Sequence, residues 1–163
     1  IREEYKELLS AVLIEIMDIA QTCVSQLFVF ERNKIDINSI FLTLDKNNDY
    51  EMFYTKNNCR YIYFEKTAED KNLHTTLNKI ILSMGTIAQL DKFIGANGEK
   101  QSLAEEEFLR KYILELFTII QNCFNLLYMM EEKYSIDLEL LFNKHLEKLI
   151  NRGYYDPKKR SWK

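Results

Sequence analysis

The sequence predicts a mainly α-helical protein: a helical bundle built from two repeated helix-turn-helix units, with a short β-hairpin between them. Three observations carry this expectation. Only four glycines and one proline occur in 163 residues, too few for an all-β domain with many tight turns. Long stretches keep apolar residues at helical spacing without interruption. A polar-and-apolar pattern near the start of the chain returns about 100 residues later.

The elements follow in order. Residues 3–30 contain no Gly or Pro, and Leu8, Val12, Ile16, Ile19, Cys23 and Leu27 mark one apolar face. Leu9, Leu13, Met17, Ala20 and Val24 widen that face beyond a surface stripe, so the helix is expected to pack on more than one side. Asn33-Lys34-Ile35-Asp36-Ile37-Asn38 is a turn in which Asp36 or Asn38 caps a short helix over 39–44. Residues 45–49 are polar and turn-like. The Tyr- and Phe-rich stretches 50–55 and 60–64, around Lys56-Asn57-Asn58-Cys59, are expected to form the hairpin. After a charged link at 66–71, helical periodicity resumes over 73–94 and is stopped by Gly95 and Gly98 in a loop extending to Ser102. A long helix is expected over 103–133 and a last one over 137–151, with Gly153 at the left-handed position after its end. The organisation is thus 1–48 as a first half-unit, 49–72 as a linker with the hairpin, and 73–163 as a second unit, together one compact domain.

The repeat is specific. Ile14-Glu15-Ile16-Met17-Asp18-Ile19-Ala20-Gln21-Thr22-Cys23 aligns with Leu114-Glu115-Leu116-Phe117-Thr118-Ile119-Ile120-Gln121-Asn122-Cys123 at an offset of 100 residues. Ile35-Asp36-Ile37 then returns as Ile136-Asp137-Leu138, one residue further on. Apolar spacing aligns any two amphipathic helices, but here Glu, Gln, Cys and the Ile-Asp turn coincide as well.

Composition narrows the function classes. The net charge is -3, from 22 basic and 25 acidic side chains, unlike the strongly basic face of a dedicated nucleic-acid binder. Charges interrupt every apolar run before about 18 residues, so no membrane span is expected. No secretory signal follows Ile1, since Arg2 leads directly into Glu3 and Glu4. Three cysteines without CxxC spacing fit a reducing, cytoplasmic setting, and Cys23 and Cys123 are expected to pack in the core. His74 and His145 are isolated and are expected at the surface.

On the first helix Glu4, Glu7, Glu15, Asp18, Thr22 and Ser25 share a narrow polar sector. Glu15 and Asp18 are one turn apart and can reach a single point, the arrangement a hard cation such as Mg²⁺ uses. The bland reading is a solvated acidic face. The equivalent stripe of the second unit holds Glu107, Lys111, Glu115, Thr118, Asn122 and Asn125, where Lys111 is expected to pair with Glu115. Lys144, Lys148 and Arg152 recur every four residues on the last helix, and Lys158, Lys159 and Arg160 follow Pro157. Such cations suit phosphate contacts, or simply complement a helix C-terminus. Tyr154 and Trp162 could stack on a base.

Three segments resemble one family. They are Ile113-Leu114-Glu115-Leu116-Phe117-Thr118-Ile119-Ile120-Gln121-Asn122-Cys123, Tyr134-Ser135-Ile136-Asp137-Leu138, and Asn143-Lys144-His145-Leu146-Glu147-Lys148-Leu149-Ile150-Asn151-Arg152-Gly153-Tyr154. Together they resemble the MazG-like all-α nucleoside triphosphate pyrophosphohydrolases, over most of residues 77–155 and more weakly over 1–47. The resemblance implies an EExxE helix, an ExxD helix, an Ile-Asp turn and a K-xxx-K-xxx-R-G ending. It also implies four carboxylates on Mg²⁺ and attack of water between the α and β phosphates of a nucleoside triphosphate. On this implication Glu15 and Asp18 are catalytic, Glu15, Asp18 and Glu115 bind the metal, and Lys144, Lys148 and Arg152 hold the phosphates. The departures matter equally. Leu82, Ser83 and Thr86 stand where the family has acids, and Thr118 stands where Asp is expected. The EExxE spelled by Glu3-Glu4-Tyr5-Lys6-Glu7 is too close to Glu15 to lie on a separate antiparallel helix, so the first unit's acids would come from upstream of Ile1 or from a second chain of a homo-oligomer. The expected activity, Mg²⁺-dependent conversion of a nucleoside triphosphate to monophosphate and pyrophosphate, is therefore weak or lost. The alternative is a non-catalytic nucleotide- or protein-binding bundle.

Overall fold

The computed structural model describes residues 3–42, 53–56, 59–62, 72–93, 105–156, 158 and 161–162. It is mainly helical. Helix α1 (Glu3–Arg32) is followed by α2 (Ile37–Leu42), strands β1 (Phe53–Lys56) and β2 (Cys59–Ile62), α3 (Leu73–Phe93), α4 (Glu105–Tyr134) and α5 (Leu138–Asn151). Two further short strands, β3 (Tyr155–Asp156) and β4 (Ser161–Trp162), come last. β1 runs antiparallel to β2, with Phe53 opposite Ile62 and Lys56 opposite Cys59. β3 runs antiparallel to β4, with Tyr155 opposite Trp162. The polar stretch 45–49, the link 66–71, the loop containing Gly95 and Gly98, and the tail residues Pro157, Lys159 and Arg160 lie outside the described residues.

The helix joints are built from caps. α1 ends with Lys34 at φ 66, where the Lys34 N–H bonds the Glu31 carbonyl at 2.9 Å and the Ile35 N–H bonds the Phe30 carbonyl at 3.2 Å. These two bonds satisfy carbonyls that the last turn leaves exposed. Asp36 Oδ1 then accepts from the Ser39 N–H at 3.0 Å, capping α2. At the end of α4 the left-handed residue is Ser135, φ 52, its N–H bonded to the Glu131 carbonyl at 2.9 Å. Asp137 caps α5 through the Leu140 N–H at 2.9 Å. α3 starts at Asn72, whose Oδ1 accepts from the His74 N–H at 2.9 Å. α5 closes at Gly153, φ 71, with Gly153 N–H on Ile150 and Tyr154 N–H on Leu149, each at 2.9 Å. Here the missing Cβ is what makes the left-handed conformation inexpensive.

The chain divides into two compact units, residues 1–18 with 127–163, and residues 19–126. α1 and α4 each supply residues to both. In the first unit Leu13, Met17, Leu127, Met130, Ile136, Leu138, Leu141 and Leu149 are buried. In the second, Leu27, Ile37, Ile80, Leu90, Ile113, Phe117, Ile120 and Leu126 are buried together with Cys23 and Cys123. Phe30 meets Tyr112 edge-on at 5.8 Å between ring centroids, and Tyr112 in turn packs on Phe108 at 6.0 Å, spacings that favour aromatic pairs. Burial pushes the Cys23 thiol up to about 11 and the Cys123 thiol up to about 12, the latter also by its neighbour Cys23. Both are free, and as protonated thiols they serve as small apolar core residues.

Two placements depart from the apolar periodicity. Leu8 is 64% exposed and Val12 50% exposed, although both continue the face that buries Leu13 and Met17 further along. Periodicity marks which side of a helix is apolar and says nothing of how far along the helix that side is covered. By length and composition alone, α1 over Glu4–Arg32 and α4 over Glu107–Tyr134 are long and apolar enough to cross a membrane. In each, an 18-residue stretch holds no more than two charged side chains, and these interrupt the apolar run. The core helix of a soluble protein has the same length and composition, and 61% of the most apolar stretch of α4 is buried within the protein against 22% for α1.

Candidate functional site

Two helical pairs at i, i+3 spacing meet in the first unit. On α1 these are Glu15 and Asp18; on α5 they are His145 and Lys148. Residues three apart on a helix lie on one face, so each pair aims at a common point. α5 places its pair by its own apolar spacing: Leu138, Leu141, His145 and Leu149 are its buried residues.

Asp18 is the centre of the cluster. The Lys148 ammonium donates to Asp18 Oδ2 and also reaches Glu15 Oε1 at 3.4 Å. His145 Nδ1 lies 3.4 Å from Asp18 Oδ1. The Lys148 side chain is 20% exposed and that of Asp18 29%, whereas Glu15 is 72% exposed at the rim. The hydrogen bond to Asp18 raises the Lys148 pKa above its ordinary value, because it favours the charged form. Burial lowers that of His145, outweighing the attraction of Asp18, while Lys148 lowers it further. The imidazole is therefore neutral at pH 7 and the ammonium fully charged.

Of the residues expected in the site, Glu15, Asp18 and Lys148 are brought into contact. Lys144 lies one turn before Lys148 on α5 and Arg152 at the cap just after the helix; both are exposed. Glu115 belongs to the other unit, half-buried on α4, and the expected Lys111–Glu115 ion pair does not form among the described residues. His145 corrects an expectation: it is 8% exposed rather than at the surface. The signal was present, since His145 falls on the 138, 141, 145, 149 spacing of α5's apolar face, but a lone His suggests a surface residue when its helical position is ignored.

In the second unit the polar stripe of α4 turns inward. Asn122 and Asn125 are buried; Asn122 Nδ2 donates to the Thr118 carbonyl at 2.7 Å, and Asn125 Oδ1 accepts from Gln121 at 3.2 Å. Asn122 Oδ1 is buried without a hydrogen-bond partner. Thr118 Oγ1 donates to its own Leu114 carbonyl at 3.0 Å, and Thr86 Oγ1 does the same to Leu82 at 3.1 Å. These hydroxyls are committed to the helix backbone. Leu82 is 70% exposed and Ser83 is buried, so nothing at these positions offers an anionic oxygen.

A divalent ion needs carboxylate oxygens in excess of nearby positive charge. The residues present do not fit one: the Lys148 ammonium already contacts oxygens of both Glu15 and Asp18 and leaves the pair a single net negative charge, and no group of three or more His, Cys, Asp or Glu is placed to hold a metal among the described residues. What the cluster can do is hold α5 against α1 by a charge-assisted bond, and present a row of cations along α5 to an anion. No family model, curated protein or solved structure matches the chain.

Proposed function

We propose that this is a MazG-like nucleotide pyrophosphohydrolase-fold protein in which Mg²⁺-dependent conversion of nucleoside triphosphates to monophosphates and pyrophosphate is weak or lost. The observation that carries the reading is the Lys148 ammonium seated on both Glu15 and Asp18. It takes the position between the two carboxylates that this fold would use for a cation and offsets one of their two charges. Thr118 and Thr86, at two positions where the family has acids, bond their own helices instead. The finer architecture we infer is two repeated helix-turn-helix units flanking a short β-hairpin. In its support, Ile35-Asp36 and Ile136-Asp137 each follow a left-handed residue and each Asp caps the next helix.

A second reading, a non-catalytic binding bundle, is favoured by the exposed apolar side chains Tyr5, Leu8 and Val12 beside Glu15 on α1. A second copy of this chain is the partner we propose for them, in a cytoplasmic homo-oligomer whose Cys23 and Cys123 stay reduced. With Lys148 engaged by the carboxylates, the exposed Lys144 and Arg152 remain the candidates for nucleotide phosphates.

The test is pyrophosphate release with Mg²⁺ from a panel of standard and modified nucleoside triphosphates. Turnover of the wild type is expected well below the roughly 1 s⁻¹ at the low end for ordinary enzymes, and Glu15→Gln should abolish whatever is seen. Turnover within the ordinary range, lost in Glu15→Gln, would sink the reading and restore a working enzyme.

A further inference from the structure

We infer that Lys148 is a built-in replacement for a metal ion: its ammonium occupies the cation position between Glu15 and Asp18, and the cluster is assembled and stabilised without any divalent ion. The inference deepens the reading of a MazG-like fold with weakened catalysis and takes the carboxylate pair from it.

The argument is one of charge and position. Glu15 and Asp18 project from adjacent turns of α1 toward one point, the geometry that would hold a hard cation. At that point stands the Nζ of Lys148, within 3.4 Å of Glu15 Oε1 and in direct contact with Asp18 Oδ2. An ammonium offers three N–H donors and no acceptor, so it satisfies carboxylate oxygens from both residues as a metal would. It also repels any divalent ion approaching those oxygens, twice as strongly as it would a monovalent one at the same distance. The side chain is held in place from its own helix, because α5 buries Leu141, His145 and Leu149 around the same turn. His145 Nδ1 sits on the remaining Asp18 oxygen at 3.4 Å. Asp18 therefore has Lys148 at one oxygen and His145 near the other.

Charge also explains why the replacement is a lysine. A compact ammonium on a flexible stem can reach two carboxylates one helical turn apart, whereas the planar guanidinium of arginine matches a single carboxylate edge. Lys144, one turn before it, and Arg152, at the cap just after the helix, are both exposed; they keep the surroundings positive and further disfavour a free divalent ion.

Removing the ammonium while keeping its stem should expose the latent cation site. The experiment is a Mn²⁺ titration followed by electron paramagnetic resonance, without nucleotide, paired with thermal melts in EDTA and in excess Mg²⁺. For the wild type we expect no saturable Mn²⁺ binding that depends on Glu15, and one melting temperature in both buffers. For Lys148→Met we expect saturable Mn²⁺ binding at least roughly tenfold tighter than the limit the wild-type titration sets, as follows from deleting one unit charge at contact distance. Its melting temperature should be lowered in EDTA and recovered by Mg²⁺. The double variant Lys148→Met with Glu15→Gln should lose both gains.

Saturable Mn²⁺ binding by the wild type that vanishes in Glu15→Gln would overturn the inference, and that arm needs no lysine variant to fold. Lys148→Met that folds but gains neither binding nor metal-dependent stability would overturn it too. These outcomes are separate from the pyrophosphate assay, since a wild type that turns over nucleotide rapidly refutes the functional reading whatever Lys148→Met does with Mn²⁺ alone.

Discussion

His145 is the residue whose ionisation most directly reports on the cluster. It is buried, its pKa is lowered first by burial, and the charged groups facing it are Asp18 and Glu15 from α1 and Lys148 from its own helix. In the unfolded chain an imidazole takes up its proton near pH 6.5, whereas in the folded protein it does so only at lower pH. Between those two values the unfolded state binds more protons. The stability His145 contributes is thus fully present above about pH 6.5 and is lost as the pH falls toward the folded value. Urea midpoints measured from pH 7.5 down to pH 5 should decline in the wild type and decline less in His145→Gln; an identical slope in both would show that His145 is not the group involved. That Glu15 and Asp18 share one face of α1, and that Lys148 belongs to a row of cations on α5, was legible from the spacing on each helix. Their union was not, because nothing in a one-dimensional spacing says that a lysine expected to hold phosphate will satisfy a carboxylate pair first.

At the level of elements, helix positions were the most readable feature. Caps are local chemistry: Asp36, Asn72 and Asp137 each accept a backbone N–H two or three residues ahead, and a short polar residue before an apolar run shows this directly. Burial along a helix is not local, and Leu8 and Val12 were misplaced for that reason. α3 carries an internal defect that offers a test. Gly85 sits within the helix, and a Cβ added there meets no atom within 4 Å. Gly85→Ala should therefore stabilise the protein by about 0.5–1 kcal/mol, the usual difference between these residues in a helix interior. A calorimetric melt should show a rise of about 1–4 °C. A lower melting temperature would mean that Gly85 serves a close approach made only by another molecule.

For the molecule as a whole, the exposed apolar residues of α1 lead to a statement about assembly. Tyr5, Leu8 and Val12 occupy neighbouring turns and are at least half exposed, which is costly to leave in water over a contiguous patch. Analytical ultracentrifugation should give a mass of at least twice the 19.5 kDa of one chain, and Leu8→Glu with Val12→Glu should return it to the monomer. A monomeric wild type would remove the oligomer from the proposal. The mainly helical class was readable from composition, since four glycines and one proline leave little material for tight turns. That scarcity has a further consequence at the joints. Lys34 and Ser135 take left-handed backbone angles that cost a residue with a Cβ about 1–2 kcal/mol, and neither has an intrinsic preference for the bend. Each bend survives only while the carbonyls behind it and the Asp cap ahead of it are in place. The hinges of this protein are thus conditional, formed by the helices they join, and a helix that frays at such an end gives up its direction together with its last turn.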